Sequence, residues 1–572
     1  MKLSKTKILL ILILLLAIFL RLYKIDENPV SLFGDELDVG YHALSILQTG
    51  KDYTGHFLPQ HFRSLAELRT PLYLYSSVPS VAIFGVSPLG VRLPAVIFGV
   101  LCVWLLYFLV KYISGNTVIA LISALLLSIL PWHIQYSRAG FEVTELMAFY
   151  LAGIYFFLRG LKEHRLIFLS VIFFGFTPWI YNIAKLYLPL TVLGLLAIFW
   201  NDIKVVPKKF IFISFVIFTL ITGAFTYNTL FGGGVDRFES ISIASDNTII
   251  PQIGFSRLRD AKMRDSSASI GAVFSLSDKL FHNQPFFLFN AFIKNYLQAY
   301  SAEFLTISGS TNLRHSVPGV GQIYAFEFIF MLIGGAFFFF SQVNNKVKLL
   351  MLFLILTTPI PSALTIDGGT HPTRLFLMII PITIMTAYGI WSAVNILSVK
   401  IRKAFIGIIA LVILLSFVFY QHTYWIHYPW DSERWWQAGY SEAIKATVEE
   451  GKKYDRVIIS NADEPSLIFF LGYNEYPPEK FQKNYLLPET NIPGFGNVSN
   501  LDKYYFPAIG KGVGLYDLGK ILPSNTLYLA TAKEVNVNLI TEPERVPKGI
   551  NLIRSITYPS GAPAFYLLSK IE

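Results

Sequence analysis

Charge is what this chain has least of. Only 15% of its 572 residues are Asp, Glu, Lys or Arg, whereas a soluble protein carries about 25%. That shortage excludes a water-soluble globule of this length. Cysteine is nearly absent. The single Cys102 lies in an apolar run, so an internal disulfide is excluded and the redox compartment is not readable. No small-x-small cleavage pattern follows the first apolar run, because "RLYKIDENP" comes directly after it. The run is therefore read as an uncleaved span rather than a signal peptide. Internal repeats and low-complexity tracts are also missing.

Apolar sequence fills the gap: 53% of the residues are hydrophobic and 16% aromatic, with a mean hydropathy of +0.51. A helix needs about 20 apolar residues to cross a bilayer, and about eleven segments approach that length. They lie near 7–22, 93–112, 117–135, 141–160, 164–181, 184–201, 209–230, 321–342, 347–364, 374–397 and 402–420. The most basic short connections, "RGLKEHR", "NDIKVVPKK", "NNKVK" and "SVKIRK", all fall on the cytoplasmic side if Lys2 starts inside. This topology signal explains much of the net charge of +10, and no nucleic-acid partner is implied. One further apolar segment, "PLYLYSSVPSVAIFGV" at 71–86, would reverse the later loops if it spanned. Pro79 is expected to interrupt it, and it is read as a re-entrant or partly inserted helix.

The predicted fold is thus a mainly α, polytopic membrane domain over 1–420. Its outer face carries a first loop at 23–92 and a long loop at 231–320. A small extracytoplasmic α/β domain follows over 421–572. There "YDRVIISNAD" and "NTLYLATAKE" read as strands, "SERWWQAGYSEAIKATVEEGKK" as an amphipathic helix, and "DEPSLIFF" as a helix start.

The first outer loop opens with "SLFGDELDVGYHAL". Leu37, Tyr41, Leu44 and Leu47 recur at helical spacing and Gly50 ends the pattern. A second short helix is expected from Ser64, with Glu67 completing a capping box. Both read as amphipathic helices on the membrane surface. Asp35 makes a good N-cap, and acids are favoured at a helix start. Capping accounts for one carboxylate and leaves Glu36 and Asp38 over. Cations recur at the other outer turns: Arg92, Arg138, Lys185, and His371 with Arg374. Each alone reads as a topology charge. Together they suggest an anion at the outer edge, since a charge in hydrocarbon costs about 3 kcal/mol and such groups mark substrate sites. A lipid phosphate sits at that depth, and arginine matches its oxygens bidentately. A nearby carboxylate could take the proton from an attacking hydroxyl.

With Asp-Glu in the first outer loop and Arg92 before the next span, the chain resembles the GT-C membrane glycosyltransferases. It is most like the protein O-mannosyltransferase and bacterial aminoarabinose transferase-like groups. The motifs are "GDE" at 34–36, "TPL" at 70–72, "RLPA" at 92–95, the run at 300–324 and "HPTRLFLMIIPI" at 371–382. Where relatives often carry His-Pro-Pro, this chain has Arg69-Thr70-Pro71. The resemblance implies an inverting transfer of sugar from a polyprenyl-phosphate donor to a hydroxyl acceptor. Asp35 would be the base, Glu36 would support it or hold the acceptor, and Arg92 would contact the donor phosphate. Arg138, Lys185, Arg314, His315, His371 and Arg374 are further candidates by position. No required metal is expected, although a divalent cation could in principle use Asp35, Glu36, His56 and His61. A transporter of a lipid-linked sugar is the alternative, using the same cations without a base.

Overall fold

A computed structural model describes residues 4–65, 68–231, 240–270, 273–492, 495–507 and 514–570. Helices form at all eleven expected segments, in chain order with the shorter helices between them. The first ten are α1 (Lys5–Leu22), α2 (Gly34–Thr49), α3 (Leu72–Phe84), α4 (Pro88–Ser114), α5 (Thr117–Ile129), α6 (Pro131–Ser137), α7 (Val143–Gly160), α8 (Leu166–Ile180), α9 (Ala184–Ile203) and α10 (Lys208–Phe231). Then come α11 (Ile249–Arg264), α12 (Leu276–Phe281), α13 (Gln284–Gln298), α14 (Ala325–Phe340), α15 (Asn345–Thr357), α16 (Ile379–Ile396) and α17 (Val399–His422). Among the described residues seven helical stretches are long and apolar enough to cross a membrane, or eight if α5 and α6 form one bent span. The chain is a multi-pass, mainly α membrane protein.

The expected span at 117–135 is broken. α5 and α6 meet at 59° around Pro131, where proline removes a backbone donor and frees carbonyls. The freed groups are satisfied by side chains. Arg21, wholly buried, donates from Nη1 to the Ser128 carbonyl (3.0 Å) and from Nη2 to that of Leu127 (3.2 Å). The Tyr324 hydroxyl takes the Ile129 carbonyl at 2.9 Å. Pro79 behaves otherwise than expected, because α3 continues through it. At 13 residues α3 is too short to span, and the chain just past its end is tied by the Val86 N–H to Glu475 (2.8 Å).

The C-terminal region builds a seven-stranded sheet. Its strands are β3 (Arg456–Ile459), β4 (Glu489–Ile492), β5 (Gly496–Leu501), β6 (Tyr504–Phe506), β7 (Thr526–Thr531), β8 (Asn551–Thr557) and β9 (Pro563–Lys570), in the order β4-β5-β6-β3-β7-β9-β8. β1 and β2 are the two-residue strands Phe62–Arg63 and Leu68–Arg69, paired as a hairpin. Both strands read from the sequence, β3 and β7, form the parallel centre. The helix expected from Ser432 begins only at Tyr440, as α18 (Tyr440–Glu450), because Gln437 and Gly439 adopt positive φ before it. "DEPSLIFF" does lead into α19 (Leu467–Tyr473).

α2 departs most from expectation. It does not lie on the membrane surface but is buried along ten of its residues. α3 and α4 flank it, and the C-terminal region covers it: Leu37 packs on Gly472, and Tyr41 donates to the Tyr476 carbonyl at 2.8 Å. Ser64 sits beside the β1–β2 hairpin rather than starting a helix, and Glu67 lies outside the described residues.

Replacing Arg21 with Met should lower the unfolding temperature in detergent, since each buried carbonyl left unsatisfied costs about 1–3 kcal/mol. Unchanged stability would show that Arg21 is not what closes the broken span.

Candidate active site

The sequence-predicted residues divide into two groups. Glu36, Arg92 and Arg138 form scaffolding. Arg92 is 0% exposed, and all five of its N–H donors are in use. Nε and Nη2 grip the Glu36 carboxylate at 2.7 and 2.9 Å. Nη1 serves the carbonyls of Ile25 and Pro29, both at 3.0 Å, and Nη2 that of Ser31 at 2.6 Å. Glu36 also accepts the Gly140 N–H at 2.7 Å. The phosphate role expected for Arg92 is therefore corrected: a guanidinium has five donors and none remains. Glu36, walled in by the same bonds, has no open edge for an acceptor. Arg138 is also corrected, because it is 0% exposed and four of its five donors are spent on the protein. It is buried between α1 and the chain after α17, donating to Leu20, Lys24 and Asn28 carbonyls and to the Tyr424 hydroxyl, with Trp425 on its face at 4.9 Å.

Asp35 is different. The N-cap of α2 is Phe33, not Asp35, and the first free N–H, that of Gly34, is taken by Gln437 at 2.8 Å. Asp35 sits in the first turn with its side chain 57% exposed. One helical turn on, at i+3, Asp38 lies on the same face but is buried. Arg69, raised beside them by the β1–β2 hairpin, bridges the two: Nη2 to Asp35 at 2.5 Å and Nε to Asp38 at 2.8 Å. Tyr53 donates to Asp38 at 2.7 Å. Burial raises the Asp38 pKa, with Arg69 and the Tyr53 hydrogen bond opposing it. The two neighbouring acids raise Arg69 against its own burial.

Around Asp35 the remaining candidates gather. His315 feels the charges of Arg314, Asp35 and Arg374 together, and burial, helped by the two arginines, lowers its pKa to about 3. Its Nδ1 meets the Tyr136 hydroxyl at 2.8 Å and its ring lies 5.3 Å from that of His371. Arg374 is held by Thr365 (2.6 Å) and bonds the Tyr181 hydroxyl. Arg314 lies over Phe33 at 4.9 Å, with Nε buried and without a hydrogen-bond partner, the condition of a donor awaiting an acceptor. Glu142 closes the ring. It shares electrostatic contact with Arg69 and Asp35 and lines a small polar cavity of about 40 Å³ with Arg69, Thr70, Tyr73, Tyr181 and Asn182.

Lys185 stands just beyond, across the α8–α9 turn. It heads an apolar groove of about 550 Å³ between α8, α9 and α10, lined by Pro178, Leu188, Val192, Phe218 and Phe225. The ammonium lies 5.4 Å over Phe225, and His61 stacks on the same ring at 4.8 Å. A cation at the head of a groove apolar along its length matches a phosphate with a hydrocarbon tail.

Sequence reasoning missed Tyr53, Glu142 and Tyr181, noticed Asp38 without giving it a role, and noted Arg69 only as a departure from pattern. The signal for Arg69 was that departure itself, a cation where relatives carry histidine. The four donors considered for a cation do not converge. Glu36 serves Arg92, Asp35 serves Arg69, His56 bonds Thr54 at 2.8 Å and His61 stacks on Phe225. Among the described residues no three His, Cys, Asp or Glu side chains come together to hold a metal.

Residues 69–225 match the family model described as dolichyl-phosphate-mannose-protein mannosyltransferase. This lies within the region that resembles GT-C membrane glycosyltransferases and includes Arg69, Glu142 and Lys185. No match was found among the curated proteins compared. Among the similar solved structures are three that illustrate the likeness. AglB, the oligosaccharyltransferase of Archaeoglobus fulgidus, in complex with an inhibitory peptide and a dolichol-phosphate, is 14% identical over 82% of this chain and 63% of its own, at a TM-score of 0.47. ArnT from Cupriavidus metallidurans, bound to undecaprenyl phosphate, is 11% identical over 99% and 98%, at 0.48. The S. cerevisiae protein O-mannosyltransferase Pmt1-Pmt2 complex bound to the sugar donor is 19% identical over 43% and 36%, at 0.31. At such scores no residue's role follows from the likeness. The chain spans 63% of the length of the archaeal enzyme.

Replacing Glu36 with Gln should destabilise the protein by about 3–5 kcal/mol, the cost of leaving a buried charge unpaired, as read by denaturant unfolding. A second test uses pH. Burial lowers the His42 pKa to about 3, whereas the unfolded imidazole protonates near about 6.5. Between those values the unfolded chain binds the extra proton, so stability is full above about pH 6.5 and falls as the pH drops. His42→Phe should flatten that acid slope in unfolding measured against pH, and an unaltered slope would assign it to other groups.

Proposed function

We propose that the chain is an inverting glycosyltransferase that moves a sugar from a polyprenyl-phosphate carrier to a hydroxyl acceptor at the outer membrane face. The carrying observation is the ring of Asp35, Arg69, Arg314, His315, His371 and Arg374 at one end of the bundle, beside an apolar groove headed by Lys185. The N-terminus would lie in the cytoplasm and the sheet domain (421–572) outside, as the positive-inside rule expects from the four basic connections.

In this reading the isoprenoid tail lies in the α8–α9–α10 groove, its phosphate beneath Lys185 and the Arg374 side of the ring. Asp35, the carboxylate left partly open to solvent, accepts the proton of the acceptor hydroxyl. The hydroxyl oxygen bonds the anomeric carbon as the carbon–oxygen bond to phosphate breaks. The electron pair leaves on the phosphate, where fixed cations stabilise it without reorganising. One displacement inverts the anomeric centre. Arg69 supplies Asp35 with a countercharge, and Arg92 with Glu36 holds the first turn of α2 in place. The wall formed by the C-terminal region over α2 is the surface nearest an arriving acceptor.

Reconstitution into proteoliposomes with a polyprenyl-phosphate-linked sugar tests this. Asp35→Asn should reduce glycoside formation by about 10²–10⁴-fold, the usual contribution of a positioned base. Arg374→Ala should weaken both binding and turnover. Robust transfer by Asp35→Asn would refute the base, and translocation of the lipid-linked sugar without glycoside would make the protein a transporter.

A further inference from the structure

Between α10 and α14 the chain builds a helical layer that carries much of its large apolar side chain outward. Ile250, Phe255, Met263, Leu280, Phe281 and Phe289 are all exposed, Phe255 by 72% and Phe281 by 61%. Such a concentration is not a water-facing surface.

The layer is nevertheless well held. Arg264 makes a two-pronged pair with Asp278, Arg257 donates to the His282 carbonyl at 2.7 Å, and His282 meets Asp260 at 2.7 Å. These bonds lock α11 against α12. α13 is fastened in turn, with Asn295 donating to the carbonyls of Ala363 (3.3 Å) and Thr365 (2.8 Å). The outward apolar chains are therefore a fixed feature and not the loose side of a frayed segment.

Charge says what covers them. α11 carries four basic residues against the single acid Asp260, and Arg259, Lys262 and, on α12, Lys279 are exposed among the apolar chains. The end of α10 is apolar and outward too, with Tyr227 and Phe231 exposed at 69% and 76%. Aromatic and aliphatic chains interleaved with cations at the rim of a membrane domain match an interface of acyl chains below and anionic headgroups above.

We propose that α11 and α12 are a docking surface for anionic phospholipid. Phe255, Leu280 and Phe281 enter the acyl boundary, and Arg259, Lys262 and Lys279 engage the phosphates. Because α13 is bonded to the chain at 363–365, the lipid also supports the segment that leads to His371 and Arg374. The surface takes no part in the transfer step itself, and its link to the site runs through that segment.

The test places a fluorophore in nanodiscs on single cysteines at Phe255→Cys and Phe281→Cys in a Cys102→Ala background, with a Glu479→Cys control on the exposed C-terminal region. Brominated lipid should quench the first two and spare the control. Phosphatidylglycerol should deepen that quenching relative to phosphatidylcholine alone, and Arg259→Glu with Lys262→Glu should abolish the difference. Quenching of the two sites by aqueous iodide as strongly as the control overturns the proposal. Equal quenching with and without phosphatidylglycerol overturns the headgroup assignment.

Discussion

The buried pair of Arg92 and Glu36 is the constraint on which the site depends. It joins α4 to the first turn of α2 and, through the carbonyls of Ile25, Pro29 and Ser31, fixes the connection from α1 as well. An ion pair with no solvent is worth having only if every lone pair and proton is matched, and here the guanidinium is matched completely. Its return is positional. With Glu36 turned inward and bonded to Gly140, the adjacent Asp35, about 100° round the helix, faces Arg69 and solvent. Two neighbouring acids thus receive opposite duties from one arginine.

The same logic extends outward in steps. Arg69 is held at its Nε edge by Asp38, which Tyr53 holds in turn, leaving its outer edge on Asp35. Helix breaks place the other side of the ring. The bend at Pro131 brings Tyr136 to His315 and Thr373, and the Tyr187 hydroxyl bonds the Arg374 carbonyl at 2.9 Å. Non-helical backbone at membrane depth is tolerated because side chains such as Arg21 and Tyr324 satisfy it.

Much of the architecture was legible. Helices formed at all eleven segments read from apolar runs, because length and hydropathy are local properties of the chain. Leu37, Tyr41 and Leu44 located α2, and Gly50, at φ 69, ended it as read. The cations were harder. Arg92 and Arg374 look alike in sequence, each a lone cation beside apolar residues. Whether their donors are spent depends on carbonyls supplied by distant segments, and no local pattern encodes that. Asp38 was hidden by the same limit, its partner Arg69 lying 31 positions away behind a two-residue hairpin. The burial of α2 escaped because its cover, from Tyr473 to Gln482, lies more than 400 positions further on.

The central claim is that Asp35 faces a phosphate site from which Arg92 is excluded. An experimental structure of the protein in nanodiscs with a polyprenyl phosphate bound tests it directly. The account predicts the phosphate among Lys185, Arg314 and Arg374, within reach of Asp35, with Arg92 still clasping Glu36. A phosphate on Arg92 with Glu36 displaced, or one at the opposite end of the bundle, would contradict it.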